Sequence, residues 1–128
     1  MKERLIPLVL AALMLTGCGQ EKIDTAYQQI NAETAKTMME NHPEIVVLDV
    51  REEDEFENSH IPGAVLLPLG SIAKDSAAHV IPAADTTVLI YCRSGNRSKK
   101  AAQALSDLGY TAIYEFGGIN DWPYDVTD

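Results

Sequence analysis

The sequence predicts an α/β domain of three layers: a central parallel sheet of about five strands with helices on both faces. Two patterns carry that prediction. Short, apolar, strand-type runs alternate along the chain with stretches of helical periodicity, the order that builds a parallel sheet covered on each side. One run, Ile45-Val46-Val47-Leu48, is apolar without interruption, as befits a strand buried on both faces. Length and composition bound the size. The 128 residues fit one domain, and with 46% hydrophobic residues they can bury a core without disulfide staples.

Residues 1–17 read as a targeting segment. Lys2 and Arg4 form a short basic start, Leu5 to Leu15 is apolar apart from Pro7, and Thr16-Gly17-Cys18 follows. So short an apolar stretch suits an export signal better than a membrane span. The ending Leu15-Thr16-Gly17-Cys18 resembles a bacterial lipobox. That resemblance implies removal of residues 1–17, acylation of Cys18 and an extracytoplasmic domain held to a bacterial membrane by lipid. Gly19, where an aspartate would signal inner-membrane retention, implies the outer membrane facing the periplasm in a two-membrane host. The residue pattern alone gives only export, and a plain secretory signal cleaved near Gly17 or Gly19 is the competing reading. Residues 18–25 are then a lipidated cysteine and a tether, which spans roughly 25 Å at full extension. The folded domain occupies residues 26–128.

Within that domain, Tyr27 to Ile30 is a short first strand. Asn31 caps a helix running to about Glu40, with Glu33 in its first turn. Ala35, Met38 and Met39 share its core face, and His42-Pro43 ends it. After the strand Ile45–Leu48 come Asp49-Val50-Arg51 and an acidic run, Glu52 to Glu57, around Phe56. Acids favour a helix N-terminus, so this is a short helix with a solvated face; it lacks the spacing of a calcium loop. Asn58 to Gly63 turns into a third strand, Ala64–Leu67. Residues 70–78 form a weak helix, and Ile81 to Asp85 a loop. Thr87–Tyr91 is the fourth strand. Ala101, Ala104, Leu105 and Leu108 stripe a helix over Lys99 to Leu108, closed by Gly109. Ala112–Tyr114 is the fifth strand, Gly117-Gly118 turns the chain, and Ile119 to Tyr124 is a short helix anchored by Trp122.

The chemistry concentrates at Cys92-Arg93-Ser94-Gly95-Asn96-Arg97-Ser98, between a strand and a helix. A thiol at such a switch lies where backbone N–H groups and the positive helix end converge, which favours the thiolate. Arg93, Arg97, Lys99 and Lys100 are four of the ten basic residues. The local field at Cys92 therefore opposes the net charge of −9. That net charge excludes nucleic acid as a partner, since phosphate binding needs a basic face. With Cys18 acylated, Cys92 has no resolving thiol in the chain, which excludes a Cys-x-x-Cys oxidoreductase. The local pattern points to a reactive cysteine that handles an anionic substrate.

Four elements stand in order between about Tyr27 and Trp122. They are Leu48-Asp49-Val50-Arg51, His60-Ile61-Pro62-Gly63-Ala64, Tyr91-Cys92 through Ser98, and Gly117-Gly118 with Trp122. In this set and order the chain resembles the rhodanese family of sulfurtransferases. The resemblance implies a rhodanese-like three-layer domain whose Cys92 takes the sulfane sulfur of thiosulfate as a persulfide and passes it to cyanide or a thiol. It implies Arg93, Ser94, Gly95, Asn96, Arg97 and Ser98 as the substrate-binding loop, with Asp49, Arg51 and His60 in support. It implies no metal or organic cofactor, a small anionic sulfur donor, and a monomer anchored only through Cys18.

Electrostatics agrees with that implication. A thiolate and an anion 4 Å apart repel by about 4 kcal/mol at an effective dielectric of 20, enough to slow attack roughly a thousandfold. Arg97, and secondarily Arg93, can offset this and grip sulfonate oxygens. Gly95 lets the backbone curl so that successive N–H groups face the sulfur. Cysteine phosphatases and arsenate reductases on the same fold are the competing enzymes. Their loop is one residue longer than the four between Cys92 and Arg97, which counts against them. A persulfide carrier that serves a partner protein is the competing non-enzymatic class. Asp49, Arg51 and His60 read as structural more than catalytic. Ser98 has two open readings, helix cap or hydrogen-bond partner of the sulfur. His42, His60 and His79 lack metal-ligand spacing.

Overall fold

The structure, a computed structural model, describes residues 26–128. The signal segment 1–17, Cys18 and the tether lie outside the described residues. Five strands, β1 (Gln28–Gln29), β2 (Val46–Asp49), β3 (Val65–Leu66), β4 (Thr87–Cys92) and β5 (Ala112–Gly118), form one sheet in the order β1-β5-β4-β2-β3. Every pairing is parallel. Parallel neighbours need crossovers, and four helices supply them: α1 (Ala32–Asn41), α2 (Glu53–Asn58), α3 (Lys74–Val80) and α4 (Asn96–Asp107). The predicted α/β architecture with a five-strand parallel sheet is what the chain adopts.

Alternation along β4 divides the core in two. Val88, Ile90 and Cys92 face α3 and α4, packing with Ala77, Ala101, Ala102 and Leu105. Leu89 and Tyr91 face the other way, toward Ala35 of α1, Ile61, Phe116 and Trp122. β2 repeats the division, with Leu48 on the first side and Val47 on the second. Each fully buried aliphatic side chain here contributes about 1.5–3 kcal/mol. The α1 cap behaves as its sequence suggests: Thr34 N–H donates to Asn31 Oδ1 at 2.8 Å. Such caps stabilise by about 1 kcal/mol.

Several boundaries differ from the sequence expectation. The helix after the reactive loop starts at Asn96, three residues before Lys99, and its buried stripe is Ser98, Ala101, Ala102 and Leu105. Leu108 lies past its end and is exposed. The helix starts early because left-handed Gly95, at φ 108°, turns the chain directly from loop into helix. The 70–78 segment splits into a 3-10 turn at Leu69–Ser71 and α3 at Lys74–Val80, where Ser76 Oγ accepts the Ala73 N–H at 2.9 Å. The helix expected over 119–124 is a single 3-10 turn, Ile119–Asp121, because Pro123 disfavours helical backbone at Trp122.

The largest correction concerns Gly117-Gly118. These residues do not turn the chain; they extend β5 four residues beyond Tyr114, and Gly118 pairs with Cys92 across a register shift. The reason is steric. A Cβ on Gly118 would lie 2.6 Å from the Ser94 nitrogen and overlap the Arg93 carbonyl outright. Only glycine allows β5 to run flush against the reactive loop. Gly118→Ala should therefore destabilise the domain by about 3 kcal/mol, an overpacking cost read by chemical denaturation. A loss within error of zero would show that the loop can retreat freely.

Candidate active site

Cys92 ends β4 with its side chain 1% exposed. The chain then turns through Gly95 and enters α4, and the backbone N–H groups of Ser94, Gly95 and Ser98 face the sulfur. Gly95 N–H donates to Cys92 Sγ at 3.0 Å. Burial alone pushes the thiol up. Hydrogen bonds from the Ser98 hydroxyl and from the backbone of Ser98, Gly95 and Ser94 outweigh that cost and hold Cys92 below the ordinary thiol range.

Ser98 has both of the roles left open by the sequence. Its Oγ lies 3.4 Å from Cys92 Sγ and 3.0 Å from the Gly95 carbonyl, so it braces the first turn of α4 and touches the sulfur. Arg93, Ser94 and Asn96 are exposed on the rim. The Arg93 carbonyl accepts the Asn120 N–H at 3.1 Å, tying the rim to the segment after β5. Arg93 and Glu55 also border an open cleft of about 300 Å³, shared with Asn58 and Ile119.

Arg97 is engaged. Its Nη1 donates to Glu55 Oε1 at 2.7 Å and its Nη2 to Oε2 at 3.0 Å, a bidentate pair reaching from α4 to α2. The pair raises Arg97 and lowers Glu55 to about 2, chiefly through the hydrogen bonds from Arg97. The acidic run is thus not uniformly solvated. Glu53, Asp54 and Glu57 are exposed, whereas Glu55 faces the reactive loop. A helical spacing of i, i+3 and i+4 could not show this, because the partner lies 42 residues away.

The three supporting residues lie apart from the sulfur's hydrogen-bond shell. Asp49 and Arg51 form a buried pair, with Arg51 Nη2 donating to Asp49 Oδ2 at 2.7 Å and to the Ser59 carbonyl at 2.7 Å. Tyr91 Oη accepts the Ile61 N–H at 3.1 Å, and burial beside Asp49 pushes the phenol up. Together these bonds tie the loops after β2 and before β3 to the strand that carries Cys92. His60 stacks on Phe56 at 3.8 Å, with Nδ1 2.9 Å from the Phe56 carbonyl. Its backbone bridges Thr127 in antiparallel fashion.

A sequence model of the rhodanese-like domain matches residues 31–124, well over half of the chain. The chain belongs to the rhodanese-like family. Among curated relatives it is 35% identical over 74 residues to the thiosulfate sulfurtransferase PspE of Escherichia coli, covering 58% of this chain and 70% of that protein. It is 35% identical over 95 residues to the putative sulfur carrier protein YrkF of Bacillus subtilis, covering 73% of this chain but only 50% of that protein. A solved structure described as a rhodanese with anions from E. coli superimposes with TM-score 0.61 at 31% identity, over 66% of this chain and 98% of that one. The Alr3790 protein of Anabaena superimposes with TM-score 0.70 at 22% identity, over 77% of this chain and 90% of that one, a likeness of fold alone.

In this rhodanese-like domain two residues around the loop escaped the sequence reading. One is Glu55. The other is Glu115, which is 2% exposed and accepts from Gln29 Nε2 at 3.1 Å and from Gly117 N–H at 2.9 Å. Its signal was present: a glutamate between Tyr114 and Phe116 is a charge inside an apolar strand.

Glu55 gives a pH test. Its folded pKa lies below its usual value, so its stabilising effect is complete above 4.5 and fades as pH falls toward 2. The stability gap between the wild type and Glu55→Gln should be about 1 kcal/mol at neutral pH, modest because the pair is partly solvated. Urea melts should show that gap closing in acid. A gap independent of pH would mean that the ion pair contributes nothing.

Proposed function

We propose that this chain transfers a sulfane sulfur through a persulfide on Cys92, with thiosulfate or a related anion as donor and cyanide or a thiol as acceptor. The observation that carries the reading is the Gly95 N–H on Cys92 Sγ inside a rhodanese-like loop, where backbone hydrogen bonds favour the thiolate. Relatives named as a thiosulfate sulfurtransferase and a putative sulfur carrier support it. In the first step the Cys92 thiolate attacks the outer sulfur of the donor. The new S–S bond forms as that sulfur's bond to the sulfonate sulfur breaks, and sulfite leaves with the electron pair. The persulfide is left as an anion for the same N–H groups to hold. An acceptor then takes the outer sulfur and returns the thiolate.

Arg97 is the residue assigned to the anionic donor, assisted at the rim by Arg93. Its guanidinium carries five N–H donors, of which Glu55 engages one on each terminal nitrogen. Among the described residues nothing else engages the remaining donors, which can meet sulfonate oxygens. The same ion pair offsets part of the positive charge that a free dianion would need. That offset favours a second reading, a persulfide carrier that serves a partner protein, in keeping with a relative named as a putative sulfur carrier protein.

The assignment of residues 1–17 as a signal peptide and of Cys18 as the acylated anchor is likewise part of this proposal, supported by the Leu15-Thr16-Gly17-Cys18 pattern. It implies an extracytoplasmic domain, residues 26–128, held to a bacterial membrane by lipid, at the outer membrane facing the periplasm in a two-membrane host.

Two measurements test these assignments. After incubation of the purified protein with thiosulfate, the intact mass should rise by one sulfur atom, and Cys92→Ser should abolish the gain. An unchanged mass together with hydrolysis of an aryl phosphate would assign the site to the phosphatase class. In cells, radiolabelled palmitate should enter the full-length protein and be lost in Cys18→Ala. Label that survives this substitution removes the anchor.

A further inference from the structure

We propose that Glu115 is the internal acceptor of the Cys92 proton, reached through the Ser98 hydroxyl. Glu115 does not touch the sulfur; it is a positioning residue that acts through Ser98. The carboxyl sits in β5, 2% exposed, and among the described residues no basic side chain is paired with it. A buried carboxylate without a cation is costly. Its remaining contact leads to the reactive thiol: Ser98 Oγ lies 2.5 Å from Glu115 Oε2 and 3.4 Å from Cys92 Sγ.

Ser98 carries one hydroxyl proton and cannot give it to more than one neighbour; the Glu115 carboxylate at 2.5 Å lies nearer than the Gly95 carbonyl at 3.0 Å or the Cys92 sulfur and Gly117 carbonyl at 3.4 Å. Two arrangements satisfy all three groups with the same set of protons. In the first, the Cys92 S–H points to Ser98 Oγ and the Ser98 O–H to the Glu115 carboxylate. In the second, the Cys92 thiolate accepts from Ser98, and Glu115, now protonated, donates to Ser98 Oγ. Passing from the first to the second breaks the S–H bond and the original serine O–H bond. It forms a new O–H bond on Ser98 and another on Glu115. The trio keeps one negative charge throughout, and no proton is exchanged with water. That matters because Cys92, Ser98 and Glu115 are 1%, 0% and 2% exposed. The thiol ionises without adding a second charge to the interior.

Few other charged groups face this trio. α4 supplies Lys99, whose Nζ lies 3.6 Å from the position a Gly95 side chain would take, against 3.9 Å for Glu115 Oε2. The same helix supplies Arg97, which is turned to Glu55 of α2. The loop after β4 supplies Arg93, exposed on the rim, and β1 supplies only the neutral Gln29.

The test is the pH dependence of Cys92 alkylation by iodoacetamide in the full chain, followed on the Cys92 peptide by mass. Two groups that share a proton titrate as a pair. The wild-type rate should rise in two steps separated by a plateau of partial reactivity. Glu115→Gln cannot take the proton and should give a single step. Ser98→Ala removes the bridge but keeps both ends, should also give a single step, and serves if the glutamine variant does not fold. In the plateau, the infrared band of a protonated carboxyl should be present in the wild type and absent in Glu115→Gln. A single-step wild-type profile, or two steps that persist in either folded variant, overturns the proposal. The readout needs no sulfur donor. Its failure leaves the sulfur-transfer reading standing, and a protein that gains no sulfur from thiosulfate leaves this inference standing.

Discussion

The reactive loop has its shape because Gly118 has no side chain. β5 approaches so closely that Gly118 pairs with Cys92, and any Cβ there would overlap the backbone of Arg93 and Ser94. That contact fixes the end of β4 and presses the loop into the left-handed turn at Gly95. The turn in turn aims the backbone N–H groups of Ser94, Gly95 and Ser98 at the sulfur. The environment of the thiol thus follows from backbone geometry, which a single point charge beside the sulfur could not reproduce. Backbone donors are fixed in direction, need no side-chain ordering, and remain in place whatever occupies the cleft.

Around that backbone frame the domain spends its few buried charges sparingly. Asp49 and Arg51 neutralise one another and join the loops after β2 and before β3 at the sheet's carboxyl edge. Removing one partner of such a pair exposes the other to the full cost of burial, about 3–5 kcal/mol. Glu55 and Arg97 form a second pair, partly buried, on the same edge. The second pair joins helices 42 residues apart in sequence, whereas the first is local and reaches only to the Ser59 carbonyl eight residues on. They hold the carboxyl ends of β2 and β4 in one plane, which is where ligands bind in open parallel sheets.

Much of this was legible in the sequence. The alternation of strands and helices, the Asn31 cap, the buried run at 45–48 and the cysteine at the switch all express local rules of period and capping. What was not legible depends on contacts between distant segments. Gly117-Gly118 reads locally as a turn, and only the proximity of the Cys92 loop makes it strand. The stripe on α4 was misplaced because helix and loop share residues 96–98, and three polar residues hid the first turn. Glu55 looked like one acid among five, and its partner comes from another helix. Glu115 was visible as an anomaly, yet its neighbours Ser98 and Gln29 lie 17 and 86 residues away in sequence.

One further feature bears on how the molecule comes to exist. The first strand of the domain pairs with the last, Gln28 opposite Tyr114 and Gln29 opposite Glu115. A ribosome that has produced the opening strand must make nearly the whole remainder before that edge can close. Such long-range closure is slow compared with local pairing. The nascent chain therefore stays open-edged until its last strand emerges, a condition in which a chaperone can still engage it.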